Sequence, residues 1–222
     1  MLLYNNNEYA LMMKLRALVV SLLMLFCAGA SAHPHSFIDM NTTFVAKDQK
    51  LVGLKMVWVM DEITSADLLY DAENAKSDSE IWKKLAAQVM ANVLGQHYFT
   101  DIYREGKPVK YLNLPTEYHL SRQGHKAVLE FVLPLAEPQA LAGKPFEIST
   151  YDPTYFVDMT YQDEKALHLP PEMAKQCKFS LMTPKPDASL QAYALSLDKS
   201  DSPGEDMALG QQFAQRVTLT CQ

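Results

Sequence analysis

The pattern of apolar positions switches twice along the chain, from strand-like to helical and back. His35 to Val45 is rich in Phe, Ile, Thr and Val. Leu51 to Met60, LVGLKMVWVM, predicts its hairpin partner, buried on at least one face, with Gln49-Lys50 as the turn. Asp61-Glu62 ends that run. From there to Gln96 the spacing is helical: Ile63, Ala66, Leu69 and Tyr70 recur on one side. Ser77 or Asp78 caps a second helix running to about Gly95, with Ile81, Leu85, Ala86, Val89, Val93 and Leu94 on its stripe. Strands return at Tyr98–Tyr103, Val109–Leu112, Phe146–Tyr151, Tyr155–Tyr161 and Cys177–Thr183. Thr116–Leu120 and Lys126–Leu133 form a hairpin across Ser121–Gly124. Pro184 to Asp206 is polar and predicts a surface excursion, followed by a short helix at Met207–Gln215 and a strand at Val217–Cys221. The sum is an α+β fold: a largely antiparallel β-sheet with an inserted pair of helices at about 61–96 and a short C-terminal helix, in a single domain over 33–222.

The first 32 residues stand apart from that fold. Lys14 and Arg16 precede an almost wholly apolar run from Leu15 to Ala28, and Ala30-Ser31-Ala32 offers small residues where a signal peptidase cuts. The run falls short of the ~20 residues that span a bilayer, so a cleaved secretory signal peptide is expected, with the mature chain in the periplasm. Met12 and Met13 offer alternative translation starts.

Export changes the meaning of the cysteines. Cys177 and Cys221 remain in the mature chain, and in an oxidising compartment two such residues predict a disulfide that ties down the C-terminus. The formal net charge of -6 disfavours a general nucleic-acid binder. There is no internal repeat, Gly-rich phosphate loop, HExxH, CxxC or GxSxG, so no enzymatic activity is expected.

The chemistry concentrates at the new terminus. Cleavage after Ala32 exposes His33, whose free amine and imidazole Nδ1 can close a chelate ring on a metal; an ordinary α-amine, with a pKa near ~8, gives up its proton to a cation readily. His35 adds a second imidazole on the same face of an extended strand. Asp39 shares that face, but about 13 Å further on, so it reaches the metal only as an outer group holding the ligands, and only if the chain bends. Pro34 has no N–H to lose, which disfavours a square-planar copper or nickel site built from the first three residues. Donors from elsewhere must complete the site. Glu117 and His119 share a face in TEYHL, and His125 lies across the predicted turn. His97, after the helix stop, suits the helix dipole, and His168 has no assigned role. In YDPTYFVDMTY, Asp152 is a turn former. Asp152 and Asp158 carry carboxylate oxygens within what is first an amphipathic strand on the core. The plain alternative is a polar terminus that binds nothing.

The opening HPHSFID, the strand ending in WVMDE, the segment YDPTYFVD and the C-terminal GQQFAQRVTLTC together resemble the DUF1007 family of bacterial periplasmic proteins over essentially all of 33–222. The resemblance implies transition-metal handling beside nickel/cobalt-type membrane permeases. It matches His33 and His35 to the family's opening histidines, Asp39 to the acid after them, Asp61 and Glu62 to an acidic pair, Asp152 to the YDP position and Cys221 to the terminal cysteine. Many relatives carry a calcium-loop-like DxNxDG stretch between the helices. Here YDAENAKSDSEIW replaces it, with Asp71, Glu73, Asn74 and Asp78 as loop and cap residues rather than calcium ligands. The expected function is a non-enzymatic accessory protein that binds Zn2+ or Ni2+ and passes it to an inner-membrane permease. The alternatives are a copper histidine-clamp redox enzyme, with His119 or His125 supplying the opposing ring, and a structural subunit of a membrane transport complex.

Overall fold

The structure is a computed structural model that describes residues 12–14, 16, 34–72, 75–77, 79–197, 201, 203 and 208–222. His33, Glu73, Asn74, Asp78 and nearly all of the expected signal peptide lie outside the described residues. Among the described residues, no helix is long and apolar enough to cross a membrane.

The chain folds as α+β, with two sheets rich in antiparallel pairs. β1 (Ser36–Lys47) and β2 (Lys50–Met60) form the expected hairpin, closed by Asp48-Gln49 rather than Gln49-Lys50. Both turn residues are left-handed, at φ 51 and 59, which matches the twist of a two-residue hairpin. β5 (Tyr118–Gln123), β6 (Lys126–Ala140) and β8 (Val157–Thr160) complete the first sheet in the order β5-β6-β2-β1-β8, with β9 (Leu167–His168) also beside β1. The second sheet runs β10 (Cys177–Met182), β11 (Arg216–Cys221), β7 (Phe146–Thr150), β3 (Thr100–Arg104) and β4 (Lys107–Pro108). β8 and β9 run parallel to β1, and every other pairing is antiparallel.

The helical insert holds α1 (Glu62–Tyr70) and α2 (Glu80–Gly95). Their buried faces differ from the expected stripes. In α1 the buried residues are Ser65 and Leu69, whereas Ile63 and Tyr70 are exposed. A hydrogen bond, not an apolar stripe, docks this helix: Ser65 Oγ accepts from the Ala127 amide at 2.8 Å. In α2 the buried set is Trp82, Leu85, Ala86, Met90 and Val93, so the stripe is rotated away from Ile81 and packs against β5. Beyond the insert, α3 (Pro171–Ala174), α4 (Ala188–Ser196) and α5 (Leu209–Phe213) are short. α4 lies inside the segment expected to be irregular; Asp187 starts it by accepting from the Leu190 amide at 2.8 Å. Val109–Leu112 is not a strand, and Tyr111 makes only an isolated bridge to Leu135.

One hydrophobic cluster joins both sheets and the two inserted helices. Trp58 meets Phe131 edge-on at 4.8 Å, Tyr98 stacks on Phe131 at 5.9 Å, and Phe44 meets Phe179 across the sheets at 6.4 Å. Full burial of each such side chain contributes about 1.5–3 kcal/mol. Cys177 and Cys221 face each other across β10 and β11 and form the disulfide. With a sequence separation of 44, the loop-closure entropy removed from the unfolded chain is worth about 4 kcal/mol.

Candidate metal centre

The inner face of β1 is fixed by its apolar alternation: Ser36, Ile38 and Met40 are buried, so His35, Phe37 and Asp39 take the opposite, outward face. The strand beside them is β8. Ser36 pairs with Val157, Phe37 with Asp158, Ile38 with Met159 and Asp39 with Thr160, all in parallel register. Just before this ladder the His35 amide donates to the Phe156 carbonyl at 2.9 Å, and the His35 ring contacts the Phe156 ring at 5.0 Å between centroids. The imidazole is therefore held against an aromatic side chain where the chain enters the fold, two residues after His33. Phe156, Asp158 and Thr160 share the outward face with it.

Four acids lie near this point, and their surroundings differ. Asp61 Oδ1 accepts from the amides of Ile63 at 2.8 Å and Thr64 at 2.9 Å, capping α1. Its Oδ2 accepts from the Phe37 amide at 2.8 Å and the Thr64 hydroxyl at 2.6 Å. Partial burial raises this carboxyl, but the hydrogen bonds outweigh it and hold Asp61 below the ordinary carboxylate range. Asp152 is buried. Its Oδ1 accepts from the Thr154 amide and hydroxyl, both at 2.9 Å, and its Oδ2 from the Val157 amide at 3.0 Å. Asp39 Oδ1 accepts from the Gln162 side-chain amide. Asp158 is half-buried, and burial pushes its carboxyl above the ordinary range. Beside it, burial and then the Asp158 charge push the Tyr155 phenol up to about 12.

The other expected ligands do not join His35. β5 extends to Gln123, so the hairpin turns at Gly124-His125 instead of Ser121–Gly124. That places His125 six residues beyond His119, about 20 Å along a strand. His119 pairs with Glu130, which is bridged to Lys55 at 3.6 Å. Glu117 stays beside this pair, its carbonyl accepting from the Val132 amide at 3.0 Å. The strand order separates β5 from β1 by three steps, about 14 Å across the sheet. His97 is exposed with φ 50, its carbonyl accepting from the Tyr111 hydroxyl, and His168 pairs with Thr43. Among the described residues no group of three or more His, Cys, Asp or Glu side chains is arranged to hold a metal. The period of two in YDPTYFVDMTY already placed Phe156 and Asp158 on one face; which strand they would face was not readable from it.

The chain is similar to an uncharacterised protein of Haemophilus influenzae, with 39% identity over 211 residues, spanning 95% of this chain and 100% of that protein. The profile of a family described as "Protein of unknown function (DUF1007)" matches residues 18–221. No solved structure matches the chain.

Proposed function

The chain belongs to the DUF1007 family, and for this member we propose a role as a periplasmic metal-binding accessory protein that captures Zn2+ or Ni2+ and hands it to an inner-membrane permease. In this reading residues 1–32 are removed on export, and His33 becomes the terminus. The observation that supports it most is His35, held on the outward face of β1 against Phe156. An imidazole whose orientation is set by a neighbouring ring loses little freedom on binding a cation, and the amine and imidazole of His33 stand two residues away in sequence. A site at a chain terminus also suits hand-over, because the ligands leave the ion without opening a core.

Native mass spectrometry of protein secreted with its own signal peptide, offered Zn2+, Ni2+ and Cu2+ together, tests the reading. The expected result is a chain starting at His33 that carries one tightly held ion, lost in the His33→Ala/His35→Ala double variant. A chain that starts elsewhere, or binding that survives the double variant, overturns it.

A second reading, a structural subunit of a membrane complex, draws on two exposed apolar residues beside Asp61: Phe37 at 51% and Ile63 at 84% exposure. Co-purification with a permease that persists in chelator and in the double histidine variant would favour it. The copper-clamp enzyme draws no support from His119, three strands from β1, or from His125 in the distant turn.

A further inference from the structure

A carboxylate whose two oxygens already accept several hydrogen bonds from fixed donors has less to offer a cation than one that accepts none. Of the four acids considered, two are committed on both oxygens and a third lies further along β1. Asp61 accepts four hydrogen bonds, three of them from the first turn of α1. Asp152 accepts three from its own loop and the start of β8. Asp39 accepts one, from Gln162, and stands four residues along β1, about 13 Å from His35. Asp158 alone has no hydrogen bond or ion pair among the described residues, although it is half-buried. Partial desolvation without a compensating donor is unfavourable, and a bound cation is one of the few things that relieves it.

The position of Asp158 adds to this. It stands opposite Phe37 in the parallel β1–β8 register, one diagonal step from His35 on the same face. Strand geometry puts their Cα atoms about 8 Å apart. An imidazole and a carboxylate pointing to one side can meet across that gap on a single ion, each about 2.0–2.2 Å from it.

We propose that Asp158 is the carboxylate ligand of the metal site at His35, making it a mixed nitrogen–oxygen site for a divalent cation of the Zn2+ class. The proposal rests on the reading of His33 and His35 as ligands. It puts a carboxylate from the neighbouring strand where the sequence reading had Glu117 as the ligand and Asp39 and Asp152 as outer groups. It also narrows the cargo. Imidazole, amine and carboxylate together suit Zn2+, Ni2+ and Co2+, whereas Cu(I) prefers sulfur ligands, which this donor set lacks.

The test uses the secreted, processed chain and Zn2+ in competition with a chromophoric chelator, comparing wild type, His35→Ala, Asp158→Asn and Asp39→Asn. Asp158→Asn is expected to weaken Zn2+ binding at least about tenfold, with Asp39→Asn near wild type. A wild type that binds no Zn2+ sinks the histidine site and this proposal with it. A wild type that binds, a His35→Ala variant that does not, and an Asp158→Asn variant with unchanged affinity leave the histidine site standing and overturn Asp158 alone. Asp158→Asn is expected to melt no lower than wild type without metal, since no donor to the carboxylate is lost. The visible spectrum of Co2+-loaded protein supplies a readout independent of stability: Asp158→Asn changes it if Asp158 is a ligand, and identical spectra overturn the assignment.

Discussion

Asp61 illustrates how much one side chain settles at this end of the molecule. Its two oxygens take donors from β1 and from the first turn of α1, so it fixes the angle between strand and helix as well as capping the helix. Asp61→Ala should cost about 1–2 kcal/mol through the lost cap, read as a lower melting temperature. The pH dependence has a definite sign. The folded carboxyl titrates below its ordinary value of 3.8, so its stabilisation is present above that value and is lost as pH falls through the lower folded value. The gap in stability between wild type and Asp61→Ala should therefore close in acid; a constant gap would mean that packing, not the charged cap, carries the effect. The DE pair after WVM was legible as a place where a strand ends and a helix begins. That Asp61 caps the helix and also holds β1 was not, because the amide of Phe37 reaches it from another strand.

Among the elements, α5 and the loop that leads into β8 depend on each other through a close backbone approach. The Gly210 amide donates to the Pro153 carbonyl at 3.0 Å, and Tyr155 stacks on Phe213 at 4.0 Å. A Cβ on Gly210 would lie 1.7 Å from the Asp152 carbonyl oxygen, a backbone atom that cannot swing away. Gly210→Ala should destabilise the protein by about 1–3 kcal/mol, toward the upper end, in a thermal or urea melt. An unchanged midpoint would mean that the YDP loop is free to shift. The sequence singled out both YDP and GQQF as segments, and their contact explains why each has its composition: glycine for the approach, aromatic residues to close over it. Helix faces were less legible. Ile63 and Tyr70 have helical spacing in α1, yet the helix turns Ser65 inward because a strand amide on β6 needs an acceptor there.

At the scale of the whole molecule, several tyrosines are built into the packed structure. Burial foremost, with neighbouring phenols or carboxylates adding to it, pushes Tyr98, Tyr111 and Tyr155 up to about 12. Their ordinary value is 10.0, so the unfolded chain ionises first. Stability is then fully present below pH 10.0 and falls as pH rises toward about 12. After the exposed Tyr70 and Tyr118 have titrated, the remaining rise in phenolate absorbance should coincide with the loss of far-UV circular dichroism; full ionisation of every phenol well ahead of unfolding would mean that Tyr98, Tyr111 and Tyr155 are open to solvent. The amino-acid sequence by itself determined what local physics controls. Period-two alternation decided which residues of β1 and of the YDP segment share a face, helical spacing located the insert, and two cysteines in a chain expected to be exported implied their bond. Only the tertiary structure decided which faces meet. The β1–β8 pairing joins segments more than a hundred residues apart, and no local period encodes a partner at that distance. Long-range contacts engage Asp39 through Gln162 and Asp61 through the Phe37 amide, whereas Asp152 accepts from its own loop. Which carboxylate stands one diagonal step from His35 was decided by the pairing of β1 with β8, not by the acids' own positions in the chain.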